Sequence, residues 1–349
     1  MAKKRLQKKR EAAKASAFQA AAAKAETPKI TTKKVQPIKV ETTKTEPVKV
    51  ETQKSEAVKV ETAKVESAKV ETKKTETAKV ETTKAEPVKL ENKRDDDHIY
   101  RERLARHLDE LKWLYCELYQ NNPYVTMHLN DLLKVLKKFY DMRNDALKES
   151  DLNREKDPTW YKRNDLTGMM MYVNAFAGTL SNLESKLDYI QECNVNYLHL
   201  MPLLDSPRGR SDGGYAVADF RKVQEELGTM DDFAALTAAC HNRGINVCLD
   251  FVMNHTSEDH EWAKRARNGE KEYQDRYFFF DNYDIPSLYE QTCPEVFPTT
   301  APGNFTWLED LHKHVMTTFY PYQWDLNYRN PIVLNEMIFN MLYLANQGV

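Results

Sequence analysis

The sequence predicts an α/β protein: the N-terminal part of a (β/α)8 TIM barrel, preceded by an all-α helical domain and a disordered repeat tail. Three observations predict it. A ten-residue Lys/Glu/Thr repeat fills the first quarter, leucines then recur at helical spacing, and from residue 164 short apolar runs alternate with helical stretches. The expected domains are residues 1–97, 98–163 and 164–349.

The repeat starts at Lys39 and reads KVETTKTEPV, KVETQKSEAV, KVETAKVESA, KVETKKTETA and KVETTKAEPV. That period is far shorter than a solenoid repeat, and its apolar residues are small or β-branched, so it cannot build a core. Burial too slight to offset the entropy of ordering predicts disorder. Up to Arg94 there are 25 basic and 13 acidic residues, a net of +12, and the remainder carries 26 against 40, a net of −14. An acidic body disfavours nucleic acid as substrate and suits a neutral one. The tail reads as a solvated spacer or, because its first ten residues hold six Lys or Arg and no acid, as a tether to an anionic surface. The basic start also fits an organellar transit peptide; otherwise a cytoplasmic location is expected. An odd number of widely spaced cysteines, five, offers no disulfide ladder or zinc spacing and agrees with that.

Leu104, Leu108, Leu111, Tyr115 and Leu118, widened by Trp113 and Leu114, predict an amphipathic helix from His98. Leu129, Leu132, Leu133, Leu136 and Phe139 predict a second, the bundle ending near Asp157-Pro158. Strands are expected at Met169–Phe176, Asn196–Met201 and Ile245–Val252, with helices at Leu180–Cys193 and Asp231–Gly244. No glycine-rich phosphate loop follows any strand, and the long loops after the second and third are rich in Asp, Tyr, His and Trp. A closed barrel, whose active face is built from such loops, fits better than a doubly wound sheet. Pro331–Asn346 reads as a helix with Gly348 just past its end, leaving Val349 at the threshold of a fourth strand. A fragmentary chain is therefore expected.

Three loop clusters carry candidate chemistry. In Ser211-Asp212-Gly213-Gly214-Tyr215, the glycines allow close backbone approach beside an Asp that can bind sugar hydroxyls and a Tyr that can stack on a pyranose. Asp250 through His255 places Asn254 and His255 at a strand's C-terminal end, and Asp250 within an apolar run needs a partner. Thr317–Tyr328 alternates aromatics with Gln323, Asp325 and Asn327, which suits the rim of a carbohydrate site.

Together these clusters resemble the α-amylase superfamily, glycoside hydrolase family 13, and more narrowly its amylosucrases. Asp250-x-x-x-Asn254-His255 and QWDLN at 323–327 look like superfamily signatures, and SDGGYAV at 211–217 with TTFYPYQWDLNYRNP at 317–331 is close to amylosucrase segments. The resemblance covers residues 98–349; Asn174 stands where an acidic residue is more usual. It implies a glucosyl-binding subsite of Asp212, Tyr215, His255, Phe319 and Gln323, with His255 bonding a hydroxyl at carbon 6 and Asp250 and Asn254 as structural support. It implies sucrose as donor and an α-glucan as acceptor, through a retaining covalent glucosyl-enzyme; some superfamily members bind calcium at the residue matching Asn254, but no acidic cluster in this sequence demands a metal and nothing in it calls for a cofactor. Nucleophile and acid/base would lie beyond Val349, so no catalytic residue is expected in this chain and it is expected to be inactive alone. Sucrose hydrolysis or isomerisation, or a non-catalytic sugar-binding role, stays open beside transfer.

Overall fold

The computed structural model describes residues 94–349, so residues 1–93 of the expected tail lie outside the described residues, while Asp96 and Asp97 at its expected end are already helical. Helix α1 (Asp96–Leu118) starts ahead of His98, where the Asp95 side chain accepts a hydrogen bond from the His98 backbone N–H. After the turn at Asn121–Tyr124 come α2 (Val125–Met142) and α3 (Asp145–Lys156), the latter capped by Asn144. The expected stripe is narrower in the structure. Leu111, Tyr115 and Tyr119, four residues apart, carry the contact, whereas Trp113, Leu114 and Leu118 sit on the turned-away side, 61%, 51% and 62% exposed.

Strand β1 (Gly168–Met171) is followed by the short helices α4 (Val173–Phe176), α5 (Leu180–Glu184) and α6 (Leu187–Glu192), then by β2 (Tyr197–Leu200). The hairpin of β3 (Leu204–Asp205) and β4 (Asp219–Val223) leads into α7 (Met230–Asn242) and β5 (Asn246–Leu249). A reciprocal capping box between Thr229 and Asp232 starts α7. β1, β2 and β5 form a parallel sheet in that order, Met171 opposite Leu200 and Leu200 opposite Leu249.

Two expected strands were too long for a common reason. Pro202 ends β2, so Met201 N–H bonding to Met171 O is the last link and neither neighbour has a partner further on. The first strand stops at Met171 and Val173–Phe176 coils into α4; the third stops at Leu249, releasing Asp250–His255 into a loop. The single helix expected over Leu180–Cys193 is two, because the Ser185 hydroxyl bonds back to the Asn182 carbonyl and the helix breaks at Lys186.

Beyond β5 the expected long loop is an ordered lobe. It holds β6 (His255–Ser257), α8 (Glu261–Arg267), α9 (Lys271–Gln274), β7 (Phe279–Phe280), α10 (Asp284–Glu290), β8 (Phe305–Leu308), β9 (Lys313–Met316) and β10 (Gln323–Asp325). β7, β9 and β8 make an antiparallel sheet, and β6 pairs antiparallel with β10. The chain then enters α11 (Pro331–Asn346), capped by Asn330 with Pro331 in its first turn, at the expected boundaries.

Side-chain alternation splits the parallel sheet. Leu198, Leu200, Met171 and Val247 face the helices and join the main core with Leu183, Phe233 and Met337. The row Met170, His199 and Cys248 lies on the other face, where Met170 is 64% exposed. The N-terminal helices pack on α11 through Tyr115, Tyr119, Leu129 and Leu132 against Leu334 and Ile338. Asn335 ties the two together, accepting from Tyr115 Oη at 3.0 Å and donating to His128 O at 2.8 Å. None of the described helices is long and apolar enough to cross a membrane.

Candidate active site

The loops after β1, β2 and β5 meet the Thr317–Asp325 segment at the C-terminal end of the parallel sheet. The turn after β2 is unusual: Asp212, Gly213 and Gly214 adopt successive positive φ values of 50°, 66° and 99°. A Cβ on Gly214 would lie 2.8 Å from both Cβ and O of Pro202, so glycine is what lets this backbone press onto the strand end. Asp212 has no such freedom, and its left-handed conformation is local strain held by its surroundings.

That turn sets two polar chains. Gln323 Nε2 donates to Asp212 Oδ2 at 3.1 Å, while Gln323 Oε1 accepts from Tyr320 N–H at 2.9 Å. Tyr215 Oη donates to Asp250 Oδ2 at 3.4 Å, and Asp250 Oδ1 lies 3.2 Å from His199 Nε2. Burial first, then the Asp250 carboxylate, raises the Tyr215 pKa, so the phenol stays a donor. Asp250 thus has the partner its apolar context demanded.

His255 lies at the start of β6, buried, with its ring 5.0 Å from Phe319. Its Nε2 is 3.2 Å from Tyr215 O, and Asn254 Nδ2 approaches its Nδ1 at 3.4 Å. Partners of those kinds assign the proton to Nε2. Burial pushes its pKa down to about 4, so the ring is neutral at pH 7. Both nitrogens are therefore engaged within the protein, the Asn254 contact being the longer of the two. Asn254 itself donates to Asp325 Oδ1 at 3.1 Å.

Three groups in this region, His199, Tyr172 and Tyr320, were not singled out from the sequence, and Asp325 was expected only at the rim. His199 was hidden in an apolar run; its alternation with Leu198 and Leu200 is the signal that it faces away from the helices. Tyr172, just after β1, puts its hydroxyl 3.2 Å from where a Gly213 Cβ would be. Asp325 is buried and bridges Asn254 to Thr318, accepting from Thr318 N–H at 3.1 Å and from its hydroxyl. Burial raises the Asp325 pKa against those bonds. Tyr320 holds the Gln323 amide through its backbone N–H. Asn174 is exposed, its amide oxygen accepting from Ala175 N–H at 2.8 Å. Among the described residues no three His, Cys, Asp or Glu side chains converge to hold a metal ion.

The arrangement supplies carboxylate acceptors and phenol and amide donors beside aromatic faces, the equipment for holding a polyol ring at the mouth of a parallel β/α sheet. Residues 136–349 match the family model described as alpha amylase, catalytic domain, and the chain belongs to that family. A trehalose synthase of Pimelobacter sp. is 38% identical over 173 residues, covering 49% of this chain and 29% of that protein. Trehalose synthase/amylase TreS of Mycolicibacterium smegmatis is 39% identical over 176 residues, 49% of this chain and 28% of that one. Maltase 1 of Drosophila virilis is 38% identical over 177 residues, 49% and 27% of the two chains. The chain thus spans under a third of the length of these curated relatives. Among solved structures, an isomaltulose synthase mutant from Erwinia rhapontici with D-glucose aligns at 26% identity over 55% of this chain and 34% of that one, TM-score 0.49. The trehalulose synthase MutB aligns at 29% identity over 54% and 34%, TM-score 0.48.

Proposed function

We propose that this chain holds the glucosyl half of sucrose, and that the enzyme built on it passes that glucosyl unit to an α-glucan through a retaining covalent intermediate. The observation that carries the reading is the paired cluster of Asp212 with Gln323 and Tyr215 with Asp250 and His199 at the strand ends. In this reading Asp212 and Gln323 bind ring hydroxyls and Tyr215, held by Asp250, stacks on the pyranose. Phe319 and His255 form the wall behind it, and Asn254 supports the wall through Asp325.

Retaining chemistry needs a nucleophile and an acid/base carboxyl about 5–5.5 Å apart. The carboxylates at this mouth are already engaged: Asp250 by His199 and Tyr215, Asp325 by Asn254 and Thr318, and Asp212 by Gln323. They are suited to orienting a sugar, and in this reading none of the three is the nucleophile or the acid/base, which are expected beyond Val349. No cofactor or metal takes part in this reading.

A second reading, isomerisation or hydrolysis of a short α-glucoside, is favoured by the names of the relatives, two trehalose synthases and a maltase. Product analysis of the complete gene product on sucrose separates the readings. Fructose with a lengthening α-glucan supports transfer, equal glucose and fructose indicate hydrolysis, and a new disaccharide without free fructose indicates isomerisation. No turnover of sucrose, with turnover of maltose or trehalose, overturns the choice of donor.

A further inference from the structure

A cavity of about 470 Å³ opens at the end of the parallel sheet where its strands begin, away from the glucosyl cluster. It lies between α3 and the passage from α7 into β5, and its walls include Ser150, Asn153, Arg154, Trp160, His241 and Asn242. Asn246, the first residue of β5, closes one side. In a β/α barrel this end lies opposite the chemistry, so a ligand here is separate from the sugar. The volume falls in the range of roughly 300–1,000 Å³ typical of small-molecule sites.

Arg154 sets the character of the cavity. It stands in the last turn of α3, and its Nη2 donates to Asn246 Oδ1 at 2.7 Å. The Asn246 amide is itself oriented, its Nδ2 donating to Asn196 O at 3.1 Å. The Trp160 ring covers the guanidinium, its centroid 4.8 Å from Cζ. Arg154 is thus held at one edge and over one face. A guanidinium carries five N–H donors, and the bond to Asn246 uses one. Among the described residues Arg154 forms no ion pair with a carboxylate.

The nearby carboxylates are turned elsewhere. Glu149 is 59% exposed and faces Arg94 at 3.9 Å. Asp157 accepts from Thr159 N–H at 3.3 Å and from its hydroxyl at 3.1 Å, and faces Arg163 Nη1 at 3.8 Å. Arg163, the other guanidinium on the wall, is bound by both oxygens of Asp165, at 3.1 and 2.6 Å. That leaves Arg154 as the uncompensated charge. His241 responds to it: burial first, then the Arg154 charge, lowers its pKa, and the other charge acting on it is also a cation, Arg143. An uncharged ligand would leave this wall positive. A tetrahedral oxyanion neutralises it, taking parallel hydrogen bonds from the guanidinium fork and further bonds from the hydroxyl and amides around it.

We propose that this cavity binds a phosphate group, free or as the monoester of a small molecule, with Arg154 as its anchor. The site shares no residue with the glucosyl cluster and stands independently of the sucrose reading.

The experiment titrates the complete gene product with inorganic phosphate and with glycerol 3-phosphate by calorimetry, at an ionic strength held constant with sodium chloride. Binding of at least one probe with a Kd of about 1 mM or tighter is expected. Arg154→Gln is expected to weaken it about tenfold or more, and Arg154→Lys, which keeps the charge without the fork, to recover only part. Asn242→Asp places a carboxylate on the wall at an exposed position and leaves the Arg154–Asn246 contact in place. It is expected to weaken binding about fivefold or more, which keeps the test available should the Arg154 variants fold poorly. Lys112→Gln, an exposed cation on α1 outside the cavity, is expected to bind as the wild type does. Tighter binding of glycerol 3-phosphate identifies a monoester ligand, and equal affinities identify free phosphate. A wild type that binds neither probe, or folded Arg154→Gln and Asn242→Asp variants that bind as it does, overturns the site. Equal weakening by Lys112→Gln and Arg154→Gln reveals a diffuse charge effect and overturns it as well.

Discussion

Asp325→Ala tests how the site is held together. The Asp325 carboxylate links Asn254, one residue before His255, to Thr318, one residue before Phe319. It accepts three hydrogen bonds, two at 3.1 Å and one from the Thr318 hydroxyl, within a site that leaves it 5% exposed. At about 1–1.5 kcal/mol net for each bond, losing all three costs about 3–4 kcal/mol. Part of that is offset, because burial raises the carboxyl pKa and its removal relieves that penalty. The expected net loss is about 2–3 kcal/mol, enough to lower a urea midpoint by about 1 M for a slope near 2–3 kcal/mol/M. Asp325→Asn keeps one acceptor oxygen and offers an amide to the Thr318 hydroxyl, so its loss is expected to stay near about 1 kcal/mol. Urea unfolding followed by tryptophan fluorescence measures both. Equal midpoints for the Ala and Asn variants would refute the bridging role.

Gly214→Ala forces a Cβ to within 2.8 Å of Pro202 at φ +99°, so sugar binding is expected to fall at least about tenfold, measured by calorimetry. Gln323→Glu sets a second carboxylate against Asp212 in a fully buried position; the loss of sugar affinity at pH 7 should shrink when titrations are repeated at pH 5. His255 and His260 are both lowered to about 4 by burial, so the unfolded chain takes up protons first on acidification. Their contribution is complete above about pH 6.5 and falls as the pH drops toward 4, costing about 2 kcal/mol for each ring between pH 7 and 5. His260→Gln should remove about half of that dependence in paired urea melts, and an unchanged dependence sinks the assignment. A purified polypeptide of residues 1–349 is expected to release no fructose from sucrose; fructose release by it contradicts the placement of the reacting carboxylates.

The elements most legible in the sequence were those whose ends are written locally. Asn330, Pro331 and Gly348 bracket α11, and the Thr229–Asp232 box starts α7. Strand lengths were not legible in the same way, because β1 and β5 end where their neighbour β2 meets Pro202, and a partner's stop signal is not part of a strand's own pattern. The β8–β9 hairpin did leave a trace: FTWL and KHVM are short runs separated by Glu309–His312, but the surrounding aromatics masked it as a loop. Within the candidate site, the strand-end Asp and the Gly-Gly turn could be read from composition. His199 could not, nor could the bridging role of Asp325, since each works through a partner more than 50 residues away.

The most direct test of the central claim is the rate of fructose release from sucrose by the complete gene product and by its Asp212→Ala variant. A glucosyl pocket built on the Asp212–Gln323 pair predicts sucrose cleavage by the wild type and a fall in kcat/KM of about 100-fold or more in the variant. A variant within about threefold of the wild type, or a wild type that leaves sucrose intact, contradicts it.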